Sequence, residues 1–373
     1  MKNKISKYDF LVVGAGLIGA LTALSLHKKK LKVLVIDDKI DIPYDQRTLA
    51  VNANSMDFLD ELGLWNGIKT KPQLIKKIII KDYINSSPLI FFDRREAMGN
   101  VIYNSDLIKI ARQKLKNLKI LKTNININFN KLTPNKSVTI QNKKYFFKKI
   151  IISVGKKITS DATQKGIITN GGDFSYVGFF EHKKDHNNIA YEIFNKEGPL
   201  AILPAPCPNN KKSTFIFSTK EKTTHSKIKL LIKDSFTHSH GQIIFQKDMH
   251  KFPITPHLTK YNKNYIYVGD SLKSIHPVAG QGWNLGVKDI QTLNNLIEQY
   301  SIDSIIFNHM YHSRRIIEST VYFCFTSFIN YLYENQNSLN QNMIKAGYLG
   351  LQNFTLLRDL FIKQAMGRLN LVG

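Results

Sequence analysis

The first forty residues contain two short apolar segments separated by a longer helical pattern. Residues 8–13 alternate little and are almost wholly apolar, as expected of a strand buried on both faces. Residues 18–28 have helical character, and residues 31–36 form a second apolar run that ends at Asp37. A strand, a helix and a strand within about 30 residues predict a βαβ unit, in which the two strands are parallel.

Three further segments carry clear signals before the middle of the chain. Residues 55–62 predict a helix that ends at Gly63, because glycine suits the left-handed conformation that follows many helices. Residues 105–117 predict another helix with Ser105 as its N-cap. Residues 149–154 predict a buried strand.

The pattern changes between Phe174 and Phe252 to short alternating segments, which are typical of an antiparallel sheet. The predicted strands are residues 176–180, 189–194, 200–203 and 214–218. Residues 265–268 return to a buried strand, and the chain after Gly280 is helical almost to its end. This order predicts an α/β fold that is interrupted by a second, sheet-rich unit.

The turn between the first strand and the first helix contains Gly14, Gly16 and Gly19. Gly14 permits a tight turn, Gly16 lets the backbone approach a pyrophosphate, and Gly19 lets the helix and strand pack closely. The free N–H groups at the start of the helix favour an anion there. Asp37, 18 residues after the last glycine, is placed to accept hydrogen bonds from ribose hydroxyls. The spacing predicts a dinucleotide site.

A second glycine-rich turn follows the strand at residues 265–268. That strand brings Asp270 to the carboxyl edge of the sheet, where α/β proteins bind ligands and where a carboxylate can accept a sugar-alcohol hydroxyl. Residues 276–286 (HPVAGQGWNLG) then present backbone N–H groups at the start of a helix, which suits negative charge on a ring. The two turns therefore predict one flavin that is bound from two sides.

At these residues the chain resembles the class A flavin monooxygenases and, among them, the ubiquinone-biosynthesis hydroxylases that act on polyprenylated phenols. The similarity extends over nearly the whole chain. Its most specific part is residues 276–286, and the other blocks are residues 45–50 with 59–65, 190–194 with 198–204, and 365–367. Arg47 matches the arginine that lies against FAD in that family.

The resemblance implies a Rossmann-like FAD-binding domain of the para-hydroxybenzoate hydroxylase type, with an inserted sheet-rich substrate domain and a C-terminal helical region. The FAD-binding domain would comprise residues 1–75, 99–173 and 257–300. The substrate domain would comprise residues 76–98 and 174–256, and the helical region residues 301–373.

The resemblance also implies the reaction, in which O₂ hydroxylates a polyprenylated phenol in ubiquinone biosynthesis through a flavin C4a-hydroperoxide. The residues predicted to bind FAD are Gly14, Gly16, Gly19, Asp37, Arg47, Asp270, Pro277, Gly280, Gln281, Gly282 and Asn284. His276, Pro277 and Gln281 form the predicted catalytic environment at the flavin edge, with no acid or base assigned. Residues 322–333 are either a wall of an apolar channel for the prenyl tail or an ordinary core helix.

Two positions depart from the family and leave alternatives open. Val154 stands where relatives carry an aspartate that is associated with the use of NAD(P)H. The electron donor is therefore either NAD(P)H or a ferredoxin-type carrier. NAD(P)H is favoured if Asp161 or Asp173 replaces that carboxylate. Lys273 stands where relatives carry a histidine and adds a cation near the flavin. The alternatives to a hydroxylase are a dehydrogenase or halogenase of the same fold, and a non-catalytic flavoprotein within a quinone-biosynthesis complex.

Composition adds a strong positive charge, since 53 Lys and Arg residues face 28 Asp and Glu residues and give a net charge of +25. The basic residues are dispersed, so we expect no nucleic-acid partner. The charge suits an anionic membrane surface or an acidic redox carrier. With no segment long enough to span a bilayer, we expect a cytoplasmic protein peripheral to the inner face of the membrane. Cys207 and Cys324 lack the spacing of a metal site, and we expect both to be buried.

Overall fold

The computed structural model describes residues 6–42, 47–85, 87–126, 137–140, 143–160, 166–168, 173–220, 223–276, 280–335 and 337–369. The strands are β1 (Ser6–Val13), β2 (Val33–Ile36), β3 (Thr48–Asn52), β4 (Gln73–Ile75), β5 (Lys77–Asp82), β6 (Leu89–Phe91), β7 (Gly99–Tyr103), β8 (Leu121–Lys122), β9 (Ser137–Ile140), β10 (Lys143–Ile152), β11 (Ile167–Ile168), β12 (Phe174–His182), β13 (Ile189–Asn195), β14 (Gly198–Pro204), β15 (Lys212–Thr219), β16 (Ile243–Pro253), β17 (His257–Leu258), β18 (Tyr265–Tyr267) and β19 (Lys273–Ser274). The helices are α1 (Leu17–Lys28), α2 (Ala53–Glu61), α3 (Asn104–Asn117), α4 (His225–His240), α5 (Gly282–Gln299), α6 (Phe307–Glu334), α7 (Ser338–Asn353) and α8 (Thr355–Ala365).

A parallel sheet forms the base of the molecule, with its strands in the order β18-β10-β1-β2-β8 and β9 added antiparallel to β10. Val13 lies opposite both Ile152 and Ile36, so the carboxyl ends of β10, β1 and β2 are level. The last residues of β1 and β10 and the whole of β2 are apolar and buried, and α1 packs against the sheet through its buried residues 19–26. Level carboxyl ends bring the turns after these strands to one edge.

A second sheet has seven strands in the order β16-β12-β15-β14-β13-β5-β6. Its neighbours are antiparallel except for β13 and β5, which are parallel. Helix α4 packs on this sheet through Ile228, Ile232 and Phe236, which join the side chains of Tyr191 and Phe215 in one apolar cluster. Strands β5 and β6 come from an earlier part of the chain than β12–β16, so the second sheet is assembled from two separate segments.

Helices α6, α7 and α8 close the molecule at its C-terminal end. Their buried residues Leu332, Ile344 and Ile362 share one apolar cluster with Phe91 of β6 and Val101 of β7. Within the part of the chain that the structure describes, no helix is long and apolar enough to cross a membrane.

The predicted α/β fold with an inserted sheet and C-terminal helices is confirmed, while several local predictions were wrong. Helix α4 was missed inside the region that we expected to be mainly sheet, although Thr224 caps it and its buried positions recur every four residues. Ser105 is not an N-cap, because β7 runs directly into α3 and Tyr103 occupies that position. Cys324 is exposed on α6 rather than buried. The domain boundaries remain a prediction.

Candidate active site

The glycine turn after β1 is packed tightly on one side and open on the other. A Cβ on Gly14, whose φ is +98°, would lie 2.3 Å from the Ser153 carbonyl oxygen. A Cβ on Gly19 would lie 2.0 Å from the Gly14 carbonyl oxygen, so both glycines are required for β1, α1 and β10 to approach. A Cβ on Gly16 would have no atom within 4 Å. The open side is therefore at Gly16, the position predicted to admit a pyrophosphate.

The start of α1 has the free backbone donors that a phosphate-binding turn needs. Gly16 is the N-cap of this helix and has extended backbone angles, and no side chain caps the helix. Its first N–H groups and the positive end of its dipole are therefore available to a phosphate. Open space and uncapped donors at one point support the assignment of Gly14, Gly16 and Gly19 to the FAD pyrophosphate.

Asp37 lies at the end of β2 and is buried beside this turn. Its carboxylate accepts hydrogen bonds from the backbone N–H groups of Ala15 and of Lys39, the latter at 2.7 Å. Arg112 of α3 lies 3.5 Å from the same carboxylate and donates to the Ala15 carbonyl oxygen at 3.0 Å. A carboxylate has about four lone-pair sites, so the predicted bond to a ribose hydroxyl is still possible. Asp37 also positions the turn itself.

Sequence reasoning missed Arg112, although a signal was present. Arg112 shares the buried face of α3 with Leu107, Ala111 and Leu115, where an arginine is out of place. Its second guanidinium nitrogen donates to the carbonyl oxygens of Lys39 and Ile40 at 2.8 and 2.9 Å. A buried arginine needs such partners, and here they tie the nucleotide turn to the loop that follows β2.

Charged groups gather at the carboxyl ends of β10 and β18. The Asp270 side chain opens to solvent at this edge, and the protein around it reduces its solvation, which raises the pKa of its carboxyl group. The nearby positive charges lower that pKa in opposition; they belong to Lys156, His257, Lys273 and Arg47. His257 donates to the Asp270 carbonyl oxygen at 2.9 Å. The structure thus brings Arg47 and Asp270 into one electrostatic environment, as expected for residues that bind the middle of FAD, and adds Lys156 to the set.

Arg47 is held over an aromatic ring at the border of the second sheet. Its guanidinium carbon lies 5.1 Å from the centre of the Phe252 ring. Its carbonyl oxygen accepts a hydrogen bond from the N–H of Asn104 at 2.9 Å. Asp45 and Gln46, the neighbours of Arg47 in the family block, lie outside the described residues.

The start of α5 is fixed to β3 through Asn284. The Asn284 amide accepts a hydrogen bond from the N–H of Asn52 at 3.1 Å and donates to the Ala50 carbonyl oxygen at 2.9 Å. Gln281 is the N-cap of α5 without a side-chain cap bond, and a Cβ on Gly282 would meet nothing within 4 Å. Asn284 therefore positions the helix, and the uncapped end beside Gly282 suits a negatively charged ring.

Other predicted residues of this turn differ in how far they can be placed. Gly280 has a φ of +58°, and a Cβ there would lie 3.6 Å from the Ala50 methyl group. His276 is buried, with Nε2 3.7 Å from Asp173 Oδ2 and with no partner for Nδ1 among the described residues. Pro277 lies outside the described residues, as does Asp161. The contacts of these residues with a flavin remain predictions.

Lys273, the cation expected near the flavin edge of the sheet, is buried in an ion pair. Its Nζ lies 2.6 Å from Asp289 Oδ1, and burial lowers its pKa to about 8 against the opposite effect of Asp289. Asp289 also accepts from the Gly269 N–H at 2.8 Å and from Arg315 Nε at 2.7 Å. The charge of Lys273 is therefore used to hold the Gly269–Asp270 turn against α5 and α6.

The buried network extends beyond Asp289. Arg315 also donates to Glu318, which accepts from Lys288 Nζ at 3.0 Å. Lys288 donates further to the Leu369 carbonyl oxygen at 2.8 Å, near the end of the described chain. The network was missed because its members lie on α5, α6 and β19, and no local pattern indicates that they meet.

The chain is similar to a family model and to several curated proteins. A family model described as an FAD binding domain matches residues 7–126. The ubiquinone hydroxylase UbiM of Neisseria meningitidis is 24% identical over 96% of this chain and 84% of its own length. The ubiquinone hydroxylase UbiL of Rhodospirillum rubrum is 24% identical over 97% of this chain and 90% of its own length.

Solved structures share the fold. The flavin-dependent brominase Bmp2 superposes with a TM-score of 0.75 at 13% identity over 97% of this chain and 94% of that chain. The p-nitrophenol 4-monooxygenase PnpA of Pseudomonas putida gives a TM-score of 0.73 at 13% identity over 97% of this chain and 99% of that chain. Fold, FAD-binding domain and relatives together indicate an FAD-dependent monooxygenase that is similar over nearly its whole length to the ubiquinone hydroxylases.

Proposed function

We propose that the chain hydroxylates the aromatic ring of a polyprenylated phenol to give a precursor of ubiquinone. The observation that carries the proposal is that α1 and α5, neither of which has a side-chain cap at its start, pack together beside the carboxyl ends of the parallel strands, with Ile18 against Gly286. One suits the pyrophosphate of FAD and the other its ring. The substrate class follows from the relatives, which carry the name ubiquinone hydroxylase over nearly the whole length of the chain.

The residues of the site would divide the work of binding the cofactor. When bound, FAD supplies the activation of O₂ and delivers one oxygen atom to the ring. Asp37 would accept from the ribose, and Arg47 and Asp270 would bind the middle of the molecule. The residues assigned to the ring are Pro277, Gly280, Gln281, Gly282 and Asn284, of which Asn284 acts by fixing the start of α5.

The inner side of α6 is placed to wall the substrate pocket and exclude water. Phe323 packs with Ile275 and Leu285, which flank the second glycine turn. Tyr333 stacks on Phe194 of the second sheet with ring centres 4.2 Å apart. These contacts are those of a packed helix that runs from the second glycine turn to the sheet, and we propose that residues 322–333 also form a wall of the substrate channel. An apolar, water-poor wall suits both a prenyl tail and the protection of a reactive cofactor.

The residue at position 154 bears on the source of electrons for the flavin. Val154 is half-buried among apolar neighbours of the parallel sheet, where relatives have a carboxylate. We propose that NAD(P)H reduces the flavin poorly and that a ferredoxin-type carrier supplies electrons, with the basic surface favouring an acidic partner. Asp173 Oδ2 lies 3.7 Å from His276 Nε2 beside the second glycine turn, and it is the alternative carboxylate within the described residues.

The missing aspartate also favours a second candidate, a non-catalytic flavoprotein that acts within a quinone-biosynthesis complex. An oxygen-electrode experiment separates the two. The FAD-loaded protein is photoreduced under anaerobic conditions and mixed with oxygenated buffer, with and without a 2-polyprenylphenol. Hydroxylated product in proportion to the flavin supports the hydroxylase. Oxygen reduced only to hydrogen peroxide at all substrate concentrations supports the non-catalytic candidate.

A further inference from the structure

The C-terminal helices expose an unusual amount of apolar surface. Fourteen of the 21 exposed large apolar residues found in the described chain lie within residues 305–360. On α6 the exposed positions recur every three or four residues and so form one stripe, which includes Val321 and Phe328. Exposed leucines continue on α7 and α8, among them Leu339, Leu349 and Leu356. Large exposed apolar patches on soluble domains mark interaction surfaces.

These exposed positions belong to one surface, which we call the outer helical face. The inner sides of α6, α7 and α8 all pack into the same apolar cluster through Leu332, Ile344 and Ile362. Helices that bury their inner sides in one cluster direct their opposite sides away from it. The surface therefore spans three helices, which is wider than the single stripe that docks one partner helix.

The charges near the outer helical face are mainly positive. Within residues 305–369 the acidic residues are Glu318, Glu334 and Asp359, against six Lys and Arg residues. Glu318 is buried in the ion network and Glu334 pairs with Lys220, which leaves Asp359 as the exposed acid of this described segment. Of the six basic residues, Arg315 is buried in the same network and Arg368 pairs with Asp57 and Glu96, so four remain against one acid. A wide apolar face with basic surroundings and a net charge of +25 is complementary to an anionic lipid surface.

We propose that the outer helical face docks on an anionic phospholipid bilayer. The inner side of α6 touches Ile275 and Leu285 beside the second glycine turn through Phe323. A bilayer on the outer side would thus lie about one helix diameter, roughly 10 Å, from the active site. This inference rests on the proposed function in one respect, since a lipid-tailed phenol would enter the pocket from the membrane that α6 to α8 contact.

The test compares two triple variants by flotation with vesicles of equal parts phosphatidylcholine and phosphatidylglycerol. The first, Leu339→Gln/Leu349→Gln/Leu356→Gln, alters side chains of the outer helical face that are 56–70% exposed. The control, Leu230→Gln/Ile244→Gln/Ile167→Gln, alters side chains elsewhere that are 59–62% exposed. We expect the first variant to bind at least about tenfold more weakly than wild type and the control to bind like wild type. FAD content and far-UV circular dichroism establish that both are folded.

A second measurement keeps the exposed apolar side chains of the outer helical face and adds a fluorescent label on α6. Cys324 is exposed on α6, so an environment-sensitive fluorophore attached to it in a Cys207→Ser chain reports on insertion. We expect a blue shift of its emission with these anionic vesicles and none with pure phosphatidylcholine at high salt. Equal flotation of wild type and the first variant, no flotation of wild type, or no blue shift would overturn the proposal.

A second copy of this chain is the competing occupant, and light scattering detects it. A wild-type dimer that becomes a monomer in the first variant, with vesicle binding unchanged, would overturn the membrane assignment. Flotation involves no turnover, so its failure leaves hydroxylation untested. Hydroxylation is assayed separately with a short-tailed soluble prenylphenol, on which we expect the first variant to match wild type.

Discussion

Three buried histidines at the end of β12, in the following loop and at the end of α4 make the stability of this region depend on pH. The His182 ring packs against the rings of His186 and His240, with ring centres 6.0 and 4.8 Å apart. Burial lowers the pKa of His186 and of His240 to about 4, and the nearby His182, Lys81 and Lys184 add to the effect at His240. The Nε2 atoms of His186 and His240 have no partner among the described residues, and Nδ1 of His186 accepts from the Asn188 N–H, a hydrogen bond that protonation of this nitrogen would break.

The magnitude follows from the difference between the folded and unfolded states. An unfolded histidine binds a proton near pH 6.5, whereas these rings do so only near pH 4. The stability from neutral burial is therefore complete above pH 6.5 and is lost as the pH falls toward 4. One pKa unit corresponds to about 1.4 kcal/mol, so each ring contributes a loss of about 2 kcal/mol at pH 5 and about 3.4 kcal/mol below pH 4.

Urea unfolding followed by circular dichroism at pH 7 and pH 5 tests this prediction. We expect wild type to lose about 4 kcal/mol between the two values, since both rings contribute. His240→Phe keeps an aromatic ring against Phe236 and removes one titrating group, so its loss should be about half as large. His309→Phe on the surface of α6 is the control and should behave like wild type. Identical losses in wild type and His240→Phe would refute the reasoning.

Three further predictions concern the active site. Gly16→Val should leave the apoprotein as stable as wild type, because a Cβ there meets nothing within 4 Å, yet abolish FAD retention measured by the 450 nm absorbance; full flavin content would show that the phosphate assignment is wrong. Asp289→Asn should lower the free energy of unfolding by about 3–5 kcal/mol, because Lys273 and Arg315 lose their shared buried carboxylate, and chemical denaturation with Asp303→Asn on the surface as control measures the difference. Anaerobic stopped-flow mixing with NADPH should reduce the flavin slowly, since Val154 replaces the aspartate of relatives; bleaching at tens per second, an ordinary turnover rate, would contradict this, and rapid reduction by a reduced ferredoxin-type carrier would support it.

The local sequence was sufficient to predict the two glycine-rich turns of the site. The glycine spacing after β1 and the strand that ends before Asp270 predicted both turns, because strand, turn and helix there are neighbours in sequence. The roles of Arg112 and Asp289 were not predicted, because Arg112 contacts Ala15, which is 97 positions away in the sequence, and Asp289 contacts Gly269, which is 20 positions away. The ion pair of Lys273 was not predicted, because its partner Asp289 lies on another element.

A hydroxylase of this kind uses FAD to place one atom of O₂ on a prenylated aromatic ring. Mass spectrometry of the product formed under ¹⁸O₂ by the FAD-loaded, reduced protein with a 2-polyprenylphenol detects that transfer. We expect a hydroxylated product that carries one ¹⁸O atom, absent when Gly16→Val replaces the wild-type chain. An unlabelled product, or unchanged phenol with all oxygen recovered as labelled hydrogen peroxide, would show that the chain does not hydroxylate this ring.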